Sequence, residues 1–369
     1  MTSTAPPARP RDDGAAPARN TTSASRDRSQ RPLRPVLVVL VLGLGGTLLL
    51  GLSFGSARIP LTEVWGILLA DVIPGLGQQD VSAMRQAIVI ESRLPRVLLS
   101  MVVGACLAVA GAVAQAVTRN PLADPYLLGV SAGAGFGVVT VVVLGFGVGA
   151  VGAYTLPLAA FLGALVPLLL VLLLSGAGRD ATMLILLGVA VGQIFQALIT
   201  FALLVIADDH EIAGVLHWQA GGFGDARWGF LPAPTLSLVL VATVVILGAR
   251  WLNLLQVGDE GAGALGMNVQ RFRLLMLVAV SLLTGTAVAV AGGIGFIGLI
   301  VPHAAVFLVG SNARRSIPVA ALVGALALAL ADLVARALTP ATEFPVGVVT
   351  ALVGAPVFVY MLYRRRRKM

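Results

Sequence analysis

Apolar stretches long enough to cross a bilayer recur along this chain with almost nothing charged inside them. They lie at about 36–54, 97–117, 127–148, 154–174, 182–206, 234–249, 272–291, 317–337 and 345–362, and most are close to the roughly 20 residues that one helical crossing needs. Within lipid every backbone polar group must be satisfied inside the segment, so such stretches read as helices. Only 11% of the 369 residues are charged, against about 25% in an ordinary soluble domain. A water-facing surface cannot be built from that inventory. An all-α polytopic membrane protein is expected, and 43 glycines suit helices that approach closely.

Charge gives the topology. Seven Arg lie in the first 34 residues, and Arg364 to Arg367 with Lys368 crowd the far end. Basic residues favour the cytoplasmic side, so both termini are expected there and the number of crossings is even. A shorter apolar segment at 297–309 decides the count: with it there are ten spans. The inside segments are then 1–35, 118–126, 175–181, 250–271, 310–316 and the tail from 363, which together with Arg273 hold 19 of the 25 basic residues. Arg58, Arg85, Arg93, Arg96, Arg227 and Arg336 fall outside, against the general bias. The net charge of +8 thus follows the membrane rule, and a nucleic-acid partner is not expected.

Residues 1–35, rich in Pro, Ala, Ser, Thr and Arg, read as a disordered basic cytoplasmic tail. Residues 36–363 read as the ten-helix transmembrane domain and 364–369 as a second basic tail. A cleaved signal peptide ending near Gly55-Ser56-Ala57 is the rival for the N-terminus, but Val36 to Phe54 is too long for its apolar core. Ala108-Val109-Ala110-Gly111 recurs as Ala289-Val290-Ala291-Gly292, a weak sign of the inverted repeats common in transporters.

Several chemistries are disfavoured. Cys106 is the only cysteine, so neither an intrachain disulfide nor a thiolate cluster can form. Gly293-Ile294-Gly295-Phe296-Ile297-Gly298 fits a dinucleotide fingerprint literally, but its flanks are spans and no acid follows before Asp332. It reads as a helix break. His210, His217 and His303 are scattered, without metal-site spacing. The only Lys is Lys368, so the chain has no P-loop; it is not expected to be an enzyme, nor to carry a cofactor or metal. An ion-coupled carrier needs ionisable groups within its spans, whereas Asp332 and Arg336, one turn apart, read as a mutually neutralising pair. The 250–271 segment holds acids near one helix start and a Gly before another. It is longer than a connector requires, and long loops in compact domains tend to be functional.

Arg93-Leu94-Pro95-Arg96, Arg119-Asn120-Pro121-Leu122-Ala123-Asp124-Pro125 and Leu128-Gly129-Val130-Ser131-Ala132-Gly133 resemble the FecCD family, the permeases of iron–siderophore, haem and cobalamin ABC importers. The likeness continues through Trp218 to Trp228, Gly258 to Val269, Gly292 to His303, Leu330 to Arg336 and Pro345 to Pro356. It implies a type II ABC importer permease in the cell membrane, with ten spans and a dimer (homodimer or heterodimer) around the translocation pathway. ATP-binding-cassette ATPase subunits would sit below and an extracytoplasmic substrate-binding protein would dock above. By the same resemblance Arg93, Arg96 and Arg336 dock the binding protein. Gly258, Asp259, Glu260, Leu265, Gly266 and Met267 belong to the segment received by the ATPase. The cargo expected is an iron–siderophore complex, with haem and cobalamin as alternatives. Small polar groups among apolar walls make Ser131, Gln193, Gln196 and Thr200 candidates for lining the pathway.

Overall fold

A computed structural model describes residues 33–55, 57–72, 82–147, 151–175, 181–338 and 344–366, and all regular structure among them is helical. Residues 1–32 and 367–369, the bulk of the two expected tails, lie outside the described residues. The first helix, α1 (Leu33–Ser53), begins just inside the boundary expected for the tail. A short helix α2 (Leu61–Val72) follows, then α3 (Ala83–Ala87), a wide π turn (Ile88–Arg93) and α4 (Leu94–Thr118) in one continuous helical run. After a 3₁₀ turn at Pro125–Leu128 come α5 (Val130–Val142), α6 (Thr155–Leu174) and α7 (Ala181–Val205). Then follow α8 (Asp209–Ala220), α9 (Pro232–Leu247), α10 (Ala249–Leu255) and α11 (Asp259–Ala264). The chain ends in α12 (Val269–Ala291), α13 (Ile297–Val309), α14 (Ala313–Leu338) and α15 (Val346–Arg366).

Eight of these are long and apolar enough to span a membrane, and α5 and α13, of 13 residues each, are shorter. The apolar stretch 127–148 overshoots α5 at both ends because glycines interrupt it. Gly129 (φ 74°) precedes the helix and Gly145 (φ 69°) follows it, both in the left-handed region. Helices α2 and α8 are not legible as spans. Helix α8 instead starts with a capping box, Asp208 Oδ1 accepting from the Glu211 N–H at 2.8 Å and Glu211 Oε2 from the Asp208 N–H at 3.0 Å.

Helix α4 is the hub, packed by α12, α13 and α14, and glycine permits the close crossings. A Cβ on Gly104 would lie 2.8 Å from both Gly324 C and Leu328 Cβ of α14; one on Gly111 would lie 2.5 Å from Gly298 C of α13. The same device joins α5 to α6, where Gly133 faces Gly163 and Pro167, and Gly137 faces the Ala159 carbonyl. Without a hydrophobic drive between helices in lipid, such small-residue crossings supply contact.

The glycine-rich 292–296 segment breaks the chain between α12 and α13, as expected from its glycines. Its central residue is held by a side chain from another segment. The Tyr126 hydroxyl donates to Ile294 O at 3.0 Å and lies 3.2 Å from the Ile294 nitrogen, whose N–H donates back. Non-helical backbone at membrane depth is tolerated only when so covered. The two Ala-Val-Ala-Gly copies occupy the body of α4 and the last turn of α12, with Gly292 just past it. In both halves a long helix, a break and a 13-residue helix follow one another.

Candidate functional site

Three regions hold the residues singled out in the sequence. At the end where α1 finishes, Arg93 is only 5% exposed and its guanidinium is turned inward. Its Nη1 donates to Leu52 O at 2.6 Å and Ser53 O at 3.1 Å, and its Nη2 to Ala57 O. Arg336 Nη1 donates to Gly51 O at 3.0 Å and Phe54 O at 3.2 Å. The last carbonyls of a helix have no partner within it, so two arginines distant in sequence cap α1, where its dipole also favours cations.

Asp332, fully buried, lies between two arginines. Arg96 Nε and Nη2 each donate to its Oδ1 at 3.0 Å. Arg336 Nε sits 3.1 Å from Oδ2, close enough for charge pairing though too poorly aligned for a hydrogen bond. The pair expected from the (i, i+4) spacing is therefore a triad, its third member supplied by α4. Arg58 and Arg227 are exposed near this end. Arg227 lies 4.8 Å over the Phe230 ring, and the neighbouring Trp228 indole donates to Ile90 O at 3.0 Å in the π turn.

At the opposite end, α10 and α11 occupy the first part of the expected 250–271 segment. Gly258 (φ 108°) and Gly266 (φ 84°) adopt backbone angles that favour glycine. Asn268 then caps α12, its Oδ1 accepting from the Arg271 N–H at 3.0 Å. Glu260 and Gly266 are exposed. The structure separates two residues that the sequence grouped: Leu265 is 63% exposed, while Met267 is 7% exposed and belongs to the core. Val257, just before α11, is 70% exposed as well. Asp259 faces Arg119 (3.3 Å) and Arg273 (2.9 Å).

Between the ends, a cavity of about 420 Å³ is lined by Ser131, Gln193 and Gln196 together with Asp124, Tyr126 and the glycines of α7. Three of the four pathway candidates therefore meet. Thr200 does not line this cavity; its hydroxyl donates to Gln196 O at 2.9 Å. Asp124 escaped the sequence reading because it falls inside a turn motif, where its carboxylate accepts from the Tyr126 N–H at 2.8 Å. It keeps some surface open to the cavity, yet burial pushes its carboxyl above the ordinary value, against that N–H, which favours the charged form.

The profile of the FecCD transport family matches residues 39–364. The chain belongs to the FecCD transport family. An uncharacterized ABC transporter permease of Bacillus subtilis, YvrB, is 38% identical over 87% of this chain and 91% of its own length. The vitamin B12 import permease BtuC of Klebsiella pneumoniae is 39% identical over 91% of this chain and 96% of its own. The hemin transport permease HmuU of Yersinia pestis is 41% identical over 75% and 83%. A solved inward-facing transporter described as metal-chelate type superposes with a TM-score of 0.78 at 30% identity, over 90% of this chain and 99% of that one. This FecCD chain is thus a multi-pass membrane permease of the ABC importer class, a transport subunit. Members of the family work with ATPase and substrate-binding partners.

Proposed function

We propose that this chain forms the membrane pathway of an importer that moves an iron–siderophore-type metal chelate. A soluble binding protein delivers the cargo at the Arg93/Arg96/Arg336 end, and a separate ATPase drives transport from the α10–α11 end. The observation that carries the reading is the family match along 39–364. In this reading there are ten crossings, with the short α5 and α13 completing the count. Both termini are cytoplasmic, and two permease copies flank the pathway. Relatives named for vitamin B12 and hemin support a second cargo reading of the same architecture. The deciding experiment reconstitutes the chain in proteoliposomes with its cognate ATPase and binding protein and offers ferric siderophore, cobalamin and haemin in turn. ATP-dependent uptake of the ferric complex alone is expected. Uptake of cobalamin or haemin alone replaces the iron assignment, and ATP hydrolysis by the permease by itself overturns the division of labour.

Exposed Leu265 and Val257 are apolar residues at the end assigned to the ATPase, as expected of a surface that a partner covers. Leu265→Asp is expected to weaken ATPase co-purification by about tenfold or more, because a charge buried in an interface without a partner costs several kcal/mol. Met267→Asp should instead reduce the folded yield of the permease, since that side chain is already in its core. Fluorescence-detected size exclusion with and without the ATPase separates the two outcomes.

Docking rests on the charge balance at the other end. Two arginines there, Arg96 and Arg336, share the one carboxylate of Asp332, and exposed Arg58 and Arg227 add to the positive field, which suits acidic side chains on a soluble partner. The division of roles differs from three equivalent contacts. Arg93 shapes the α1 terminus, whereas Arg96 and Arg336, 13% and 11% exposed, act through the net positive charge of their triad with Asp332. Arg58→Glu with Arg227→Glu is expected to slow binding-protein association at low salt and to matter little at high salt, where exposed charges are screened. Arg96→Glu and Arg336→Glu should weaken binding at all salt concentrations. Association rates in nanodiscs across a salt series check this, and wild-type rates at low salt for all three variants remove the docking assignment.

A further inference from the structure

We infer that Asp259 is a positioning residue of the transport cycle: its carboxylate ties the ATPase-facing helix α11 to the 119–129 segment, which lines the cavity of Ser131, Gln193 and Gln196. The inference rests on the permease reading above and adds a route by which ATPase movement reaches the pathway.

Asp259 opens α11 directly after Gly258, yet its carboxylate is not spent on a partner surface. Oδ2 lies 2.9 Å from Arg273 Nη2, and Oδ1 lies 3.3 Å from Arg119 Nη2. Arg273 is 2% exposed at the base of α12, so this half of the bridge anchors α11 to the bundle. Arg119 is 44% exposed and sits at the C-cap of α4 in a left-handed conformation (φ 51°). Holding a non-glycine residue there costs energy that the surroundings must offset.

From Arg119 the chain is stiff up to the cavity. Asn120 Oδ1 accepts from the Leu122 N–H at 2.9 Å and Asn120 O from the Ala123 N–H at 3.0 Å. Asp124 Oδ1 accepts from the Tyr126 N–H at 2.8 Å, and Tyr126 holds the break at Ile294 through two hydrogen bonds. Asp124 and Tyr126 both line the cavity with Ser131, Gln193 and Gln196. A shift of α11 therefore pulls on a braced turn instead of a slack loop. The weak, partly exposed Arg119 link can break and re-form during a cycle, whereas the Arg273 link, buried at its arginine end, persists.

Arg119→Gln tests this, because it removes the link to the turn and leaves the Asp259–Arg273 pair intact. In proteoliposomes with the cognate ATPase and binding protein, cargo moved per ATP hydrolysed is expected to fall about tenfold. ATPase co-purification and melting temperature should stay at wild-type values, and Arg119→Lys should recover part of the ratio. An unchanged ratio in Arg119→Gln overturns the inference. So does a loss of ATPase binding in that variant, which would place Arg119 in the partner interface. Absence of transport by the wild-type chain would instead defeat the permease reading itself.

Discussion

Asp332→Ala is expected to cost about 3–5 kcal/mol of fold stability, the scale for removing one partner of a buried ion pair. The carboxylate is 1% exposed, and its partners Arg96 and Arg336 are 13% and 11% exposed. Losing it leaves two nearly desolvated guanidiniums facing each other. The penalty arises from the stranded charges more than from the lost contact. Arg96→Gln placed on Asp332→Asn is therefore expected to recover much of the loss, and raised salt is not, because buried charges are poorly screened. Thermal melting in detergent, read by size exclusion, checks both variants. Wild-type melting for Asp332→Ala would mean that water, not the carboxylate, stabilises these arginines. The result also bears on docking, since the triad holds the arginines in place at the proposed binding-protein face.

Gly111→Val is expected to collapse the yield of folded protein. Its Cβ would meet only backbone of α13, with Gly298 C at 2.5 Å and Gly298 Cα at 2.6 Å, and backbone cannot swing aside as a side-chain tip can. Overpacking of a tight core typically costs about 1–3 kcal/mol, occasionally more, and a clash against main chain belongs at the upper end. Gly104→Val, against Gly324 C and Leu328 Cβ, should behave alike. Gly45→Val and Gly46→Val provide the contrast, because nothing lies within 4 Å of either added Cβ on the exposed face of α1. They are expected to leave folded yield within the small range of surface substitutions, about 0.5 kcal/mol. Equal losses at all four positions would show that glycine acts through backbone flexibility and not through close approach.

The membrane class, the helical class and the family could be read without coordinates, because each depends on local properties. Hydropathy acts residue by residue over one crossing, and the motif blocks from Arg93 to Pro356 are short and contiguous. The same locality explains the helix break before α13, where glycines at 292, 293 and 295 weaken the helix whatever surrounds them. It also explains why α2 and α8 passed unnoticed: neither is long enough to register as a span. The convergence of Ser131, Gln193 and Gln196 on one cavity was partly foreseeable, since small polar groups in apolar helices need somewhere to face.

Partner choice could not be read in this way. Arg93 and Arg96 are three residues apart and look equivalent in sequence. Yet Arg93 caps α1 through Leu52, 41 residues away, while Arg96 pairs with Asp332, 236 residues away. Likewise Leu265 and Met267 differ by two positions, and only the packing of α11 and α12 puts one outside and the other in the core. The sequence determined what this chain dissolves in and which segments become helices, because the free energy of placing a segment in lipid is set mainly by its own composition. Tertiary structure alone decided which charges meet, because a buried guanidinium is stabilised by whichever carbonyl or carboxylate the helix crossings bring within about 3 Å, and those crossings are set by glycines on other helices.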